Sequence, residues 1–260
     1  MTYEEYRQYM KNFFEKYYTK LSQNEISIKL PLDESQKEMW SDDAAPNEEW
    51  KKWKLVSSVV KEDELEALEK EISVKLPLSL RAFLTVYHHY FENPIGRNSL
   101  FKPFEAVKRA WNPLLVKFGY LPFTWDGEGY HIRCIKLKEM PEEEKCGIYQ
   151  IDHEILFNLD EDTAAQEEID ENMKFVSENL LTYLDEILND RDRDSMYEAA
   201  KAAIAKTLKE ECGITDFDGL VDISNEDPDR LYTALEPIQE QYSLSDDDME
   251  DILDMMEFIL

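Results

Sequence analysis

The strongest constraint on this fold is a change of rhythm along the chain. From Gly119 the sequence reads "GYLPFTWDGEGYHIRCIKL", then "CGIYQID" and "EILFNL": short β-rich runs punctuated by glycine, between stretches whose apolar residues recur at helical spacing. The Asp126-Gly127 pair between two such runs signals a hairpin, because glycine accepts the backbone conformations that tight turns impose. The pattern predicts an antiparallel meander flanked by helices, an α+β fold.

The flanking helices can be placed from their caps and stripes. Thr2 with Glu5 forms a capping box, after which Tyr6, Tyr9, Met10, Phe13, Tyr17 and Leu21 share one face. A polar stretch follows, through which Trp40, Trp50 and Trp53 are spread; they are read as packing aromatics, with a ligand groove as the alternative. From Glu62, Leu65, Leu68 and Ile72 mark a helix that halts before Leu76-Pro77, since a residue preceding proline avoids the helical basin and proline suits a helix start. The next helix should carry Leu80, Phe83, Leu84 and Tyr87 on one face and end at "NPIGRN". A short helix from Pro103 should be split or kinked by Pro113.

After Asp162 helices return. Ile169, Met173, Val176, Leu180, Leu184 and Leu188 predict one long stripe, and Ser195 with Glu198 predicts the cap of an Ala-rich helix ending near Gly213. Two more helices are predicted, after Pro228 and from Ser245 to the end, the latter with Met249, Ile252, Leu253, Met256 and Ile259 opposite acids. These boundaries suggest an N-terminal helix and Trp-containing segment (1–54), an α+β domain (55–189) and an acidic helical extension (190–260).

One phrase occurs twice, "EISIKLPL" at Glu25–Leu32 and "EISVKLPL" at Glu71–Leu78. A true repeat would carry its surroundings along. Here the flanks differ, "FFEKYYTKLSQN" before the first copy and "DELEALEK" before the second, so the chain uses one local phrase twice without duplication.

The charge is unevenly placed. Residues 1–138 hold 21 basic and 21 acidic residues, so all of the net charge of −29 comes from the 8 basic and 37 acidic residues of 139–260. A field of that sign repels nucleic acid and anionic membranes and attracts basic partners. No apolar run approaches the roughly 20 residues of a membrane helix, and the start lacks the apolar centre of a signal peptide, so a cytoplasmic protein is expected.

Catalytic and metal chemistry find little support. Three scattered cysteines without a CxxC pair give neither a disulfide framework nor a zinc site. Of the four histidines, His88 and His89 would diverge on a helix, leaving His88 with Glu92 as the one pair a turn apart. The segment from Asp190 through Asp192 and Asp194 opens like a calcium loop, but Ser195 stands where glycine is needed and Lys201 where the bidentate glutamate belongs. Phosphate loops and nucleophile elbows are missing, so no catalytic, metal or cofactor residues are expected.

Several of these elements resemble the SUKH superfamily, an α+β fold named partly for a fungal cell-wall assembly regulator and common among bacterial immunity proteins. They are Trp53 followed by "SSVV", Glu69 with Leu76-Pro77, Phe83 and Leu84, Leu121-Pro122-Phe123, and the Asp126-Gly127-Glu128-Gly129 turn, spread over roughly residues 50–189. The resemblance implies an antiparallel sheet flanked by helices; the acidic helical extension lies outside the match. It also implies a non-enzymatic protein-binding module, most plainly an immunity protein against a toxin domain. The charge asymmetry suggests that it occludes a basic site on that toxin, and the Met-rich stripe of the tail suggests the alternative, a regulatory adaptor docking through its tail. Candidate partner-binding residues are Asp126 and Glu128 in the turn and Asp246, Asp247, Asp248 and Glu250 in the tail.

Overall fold

A computed structural model describes residues 1–23, 25–42, 49–159, 163–212, 221–222, 228–256 and 258–259. The chain divides into two compact units, Met1–Leu188 and Asn189–Leu260.

In the first unit, α1 (Tyr3–Leu21) starts at the Thr2–Glu5 capping box and buries Tyr6, Met10, Phe13, Phe14 and Tyr17. A 3₁₀ turn at Glu25–Ile28 leads into β1 (Lys29–Pro31), which pairs antiparallel with β2 (Trp50–Lys52). Trp40 and Trp53 bridge to each other and are buried, whereas Trp50 is exposed. Helix α1, Ile28, Met39, Trp40 and Trp53 thus share one core with the helices that follow.

After β3 (Val56–Ser57), α2 (Glu62–Ile72) buries Leu65, Leu68, Glu69 and Ile72 and stops at Ser73, whose backbone is left-handed (φ 59°). Leu76 lies outside both helices and Pro77, at φ −54° and ψ 149°, leads into α3 (Leu78–Val86), as the Leu-Pro pair requires. The backbone N–H groups of Leu78 and Ser79, unsatisfied within the helix, donate to the Glu143 carboxylate at 2.6 and 2.9 Å.

Helix α3 ends earlier than its apolar spacing suggests. Tyr87 and His88 form β4, antiparallel to β3, so Tyr87 does not share the face of Leu80, Phe83 and Leu84. The ladder to Val56 and Ser57, with a further bridge from His89 to Asn98, draws this stretch into extended conformation. Proline splits the next segment as expected: α4 (Glu105–Ala110) and α5 (Pro113–Lys117) are separate, the latter capped by Asn112 with Pro113 in its first turn.

The central sheet comprises β5 (Tyr120–Trp125), β6 (His131–Lys136) and β7 (Ile148–Asp152), then, after α6 (His153–Phe157) and α7 (Gln166–Asn172), β8 (Lys174–Ser177). The strands lie in sequence order and each pair is antiparallel. Both faces are covered. Leu121, Phe123, Ile135 and Ile148 pack with Met10, Phe14, Leu80, Phe83 and Leu184, while Tyr120, Ile132, Cys134 and Ile151 pack with Leu114, Leu115, Leu156 and Ile169. Each such buried side chain stabilises the fold by roughly 1.5–3 kcal/mol before entropy is subtracted.

Two sequence expectations are corrected here. "EILFNL" is not a strand: the Asp152 side chain accepts from the Glu154 N–H (2.8 Å) and caps α6. The stripe from Ile169 to Leu188 is not one helix either, because β8 intervenes and α8 (Leu180–Thr207) starts after it. Pairing with the edge of β7 outweighs the helical spacing of Met173 and Val176.

In the second unit the residues of α8 from Asn189 onward are joined by β9 (Val221–Asp222), α9 (Pro228–Tyr242), α10 (Asp246–Met255) and β10 (Phe258–Ile259), with β9 parallel to β10. Ser195 lies within α8, so no new helix begins there, and Gly213 falls outside the described residues. The unit has its own core of Tyr197, Ala200, Ile204, Leu208, Leu235, Ile238, Leu244, Met249, Ile252 and Leu253.

Candidate functional site

The turn from Asp126 to Tyr130 joins β5 to β6 at one end of the sheet. Asp126 anchors it and is only 7% exposed. Its carboxylate accepts from the Tyr130 N–H (2.8 Å) and the His131 Nδ1 (2.7 Å), and its backbone bonds to His131 and Gly129. Gly129, at φ +80°, supplies the left-handed residue of the turn. Burial disfavours the charged carboxylate, but the hydrogen bonds from His131, Tyr130 and Gly129 outweigh it and hold Asp126 below its ordinary value. Asp126 is therefore committed to the turn, and Glu128, at the tip, is the exposed acid of the pair.

The tail acids sort in the same way. Ser245 and Asp248 form a capping box at the start of α10, with Asp248 accepting from the Ser245 N–H (2.9 Å) and Oγ (2.6 Å), and the Tyr197 hydroxyl also bonds Asp248. Asp246 is exposed and accepts from Gln239 (2.8 Å). Asp247 and Glu250 are exposed and make no ion pair among the described residues. Asp251 and Asp254, which the sequence did not single out, extend the same exposed face, opposite Met249, Ile252 and Leu253. Of the Met-rich stripe expected to serve as a docking face, Met249, Ile252 and Leu253 are instead buried in the core of their own unit and Met256 is half-buried against it. The two groups of candidate acids lie in different units.

The histidines do not converge. His88 is buried in the extended segment; its Nε2 accepts from the Val59 N–H (3.2 Å), which leaves Nδ1–H to donate to the Asn98 carbonyl (3.3 Å). The His88–Glu92 pair one helical turn apart does not form, because no helix runs there. His89 is fully buried with its ring 4.8 Å from those of Phe14 and Phe91, and burial, with the neighbouring His88, pushes its pKa down to about 3. It is neutral and a core residue. Burial likewise raises both described thiols, Cys146 to about 11, so neither Cys134 nor Cys146 is a ready nucleophile. No group of three His, Cys, Asp or Glu side chains among the described residues is placed to hold a metal ion, and no helix among them is long and apolar enough to cross a membrane.

A second cluster on the sheet end was not legible as a site. The His153 N–H and Nδ1 both bond the Tyr130 carbonyl (3.2 and 2.8 Å), and the His153 ring meets Trp125 at 5.5 Å and Phe157 at 6.2 Å, each edge to face. Phe157 is 85% exposed and Tyr130 59%.

With this geometry in hand, the match to known families is specific: the model of the SMI1/KNR4 family (SUKH-1) covers residues 59–186, from the segment before α2 through the sheet into the start of α8. Residues 59–186 thus match a SUKH-1 domain. Domains of the family are generally non-catalytic immunity or regulatory proteins, and membership is consistent with a protein-binding module. Neither a curated protein nor a solved structure matches the chain.

Proposed function

We propose that this is an immunity protein that neutralises a toxin domain by occluding its basic site. The observation that carries the reading is the one-sided face of α10, where Asp246, Asp247, Glu250, Asp251 and Asp254 are exposed above a buried Met249–Ile252–Leu253 seam. Toxin domains that act on nucleic acid hold basic clefts, and such a face offers them carboxylates in place of phosphates. Steering of this kind raises association from about 10⁵–10⁶ toward roughly 10⁸ M⁻¹s⁻¹ at low salt.

The proposal places a toxin domain in a neighbouring coding sequence, and the test is its association rate with this chain, measured against ionic strength. The rate should fall steeply as the Debye length shrinks from about 30 Å to about 8 Å. Asp247→Asn with Glu250→Gln, which spares the Asp248 cap, should slow association several-fold and leave dissociation and stability nearly unchanged. A rate indifferent to salt, or superimposable curves for the two proteins, would refute electrostatic occlusion.

A further inference from the structure

We propose that the ring patch of Tyr130, His153 and Phe157 is the face of the SUKH-1 domain that receives arginine or lysine side chains from a protein partner. This deepens the reading above and rests on its premise of a basic partner, but it locates a contact in the family domain rather than on α10.

Three observations carry it. First, the rings are displayed. Phe157 and Tyr130 are among the most exposed large apolar side chains of the described residues, at 85% and 59%, and the His153 side chain, 28% exposed, lies between Phe157 and Trp125 and bonds the Tyr130 backbone. Second, the patch is held in shape: the two bonds from His153 to the Tyr130 carbonyl tie α6 to the hairpin, and the Asp126 carboxylate locks the turn from which Tyr130 projects. Rigid aromatic side chains lose little freedom when a partner docks on them.

Third, the surrounding charge selects the occupant. The segments Asp126–His131 and Asp152–Leu159 contain Asp126, Glu128, Asp152 and Glu154 and neither lysine nor arginine. Glu128 and Glu154 are exposed. Arg97 and Arg109 share with Trp125 and Gly127 a groove of about 280 Å³ on the other side of the turn, and Arg97 is paired there with Glu92 at 2.5 Å. Electron-rich ring faces with the exposed carboxylates of Glu128 and Glu154 in the same two segments suit a guanidinium or ammonium group, through cation–π contact and a charge-assisted hydrogen bond together. An anionic or purely apolar occupant would leave those carboxylates desolvated without a partner.

The experiment is NMR on the full chain titrated with a capped peptide of alternating arginine and glycine, beside its lysine and glutamate counterparts. The arginine peptide should shift Tyr130, His153 and Phe157 resonances, the lysine peptide less so, and the glutamate peptide not at all. Tyr130→Ala with Phe157→Ala should weaken arginine-peptide binding at the patch about tenfold, and Glu128→Gln with Glu154→Gln a few-fold. All four positions are exposed, so unchanged urea midpoints will show that the variants fold. Shifts confined to α10 would overturn this proposal while leaving the acidic-tail reading in place. An equal response to the glutamate peptide would also overturn it. Silence at both surfaces would remove both.

Discussion

Residues 25–32 and 71–78 spell almost the same phrase and adopt different backbones. The first copy makes a 3₁₀ turn and strand β1, while the second ends α2, passes through left-handed Ser73 and opens α3. What they share is narrow: in each, the leucine before proline is outside a helix. What separates them lies outside the phrase. "DELEALEK" propagates a helix into the second copy, and Glu69, two residues before it, reaches over to bond the Leu76 N–H (3.0 Å), Lys75 (2.6 Å) and Arg81 (2.6 Å). The corresponding position before the first copy is Gln23, which is exposed, and there the chain pairs instead with β2. Eight residues set where apolar side chains can go; flanks and tertiary partners choose the backbone.

The comparison can be broken first by removing what the second copy delivers. Helix α3 sets Phe83 5.1 Å from Phe14, and Phe83→Ala should cost roughly 3–5 kcal/mol in urea unfolding. A loss under about 1 kcal/mol would mean that α3 does not anchor this core.

The paired leucines sharpen it next. Leu76 is buried and its counterpart Leu30 only half-buried, so Leu76→Ala should cost about 2–4 kcal/mol and Leu30→Ala about 1 or less. Equal losses would show that the two backbones bury their phrase alike.

The smallest effect is electrostatic. Burial alone would raise the Glu69 pKa, but Lys75, the Leu76 N–H and Arg81 outweigh it and hold the carboxyl below its ordinary 4.5. A depressed folded value stabilises above the unfolded pKa and is lost as pH falls through the folded one. Glu69→Gln should therefore cost roughly 1–3 kcal/mol at neutral pH, with the gap from wild type closing below about pH 4.5. Gln23→Glu, at the equivalent exposed place, should stay within about 0.5 kcal/mol at either pH. A gap for Glu69→Gln that does not change with pH would dismiss the ionised network.

The same division between local and distant causes explains what the sequence could show. The Thr2–Glu5 box, the Leu76-Pro77 joint, the Pro113 split and the Gly129 turn are written in adjacent residues and were legible. Strand β8 was not, because Ile169, Met173 and Val176 have helical spacing while the partner that makes residues 174–177 a strand is β7. For the same reason His88 and His89 read as helical until β3 and Asn98 are in place. At the candidate site, acids were visible as acids, but the commitment of Asp248 to Tyr197, 51 residues away, was not. Tyr130 and Phe157 escaped notice because "EILFNL" looked like a strand, in which Phe157 would not stand one turn beyond His153.

The carboxylate of Glu143 on the first turn of α3 also bears on the order in which the chain folds. Nine residues are too few for a stable isolated helix, and this one lacks a side-chain cap from its own N-terminal residue, Pro77. Its missing acceptor arrives from 65 residues downstream, in the link between β6 and β7. Closing a loop of that length costs on the order of 4 kcal/mol of chain entropy before the contact returns anything. The first turn of α3 thus receives this acceptor only when the link between β6 and β7 is in place, which couples the completion of the helix to that of the sheet.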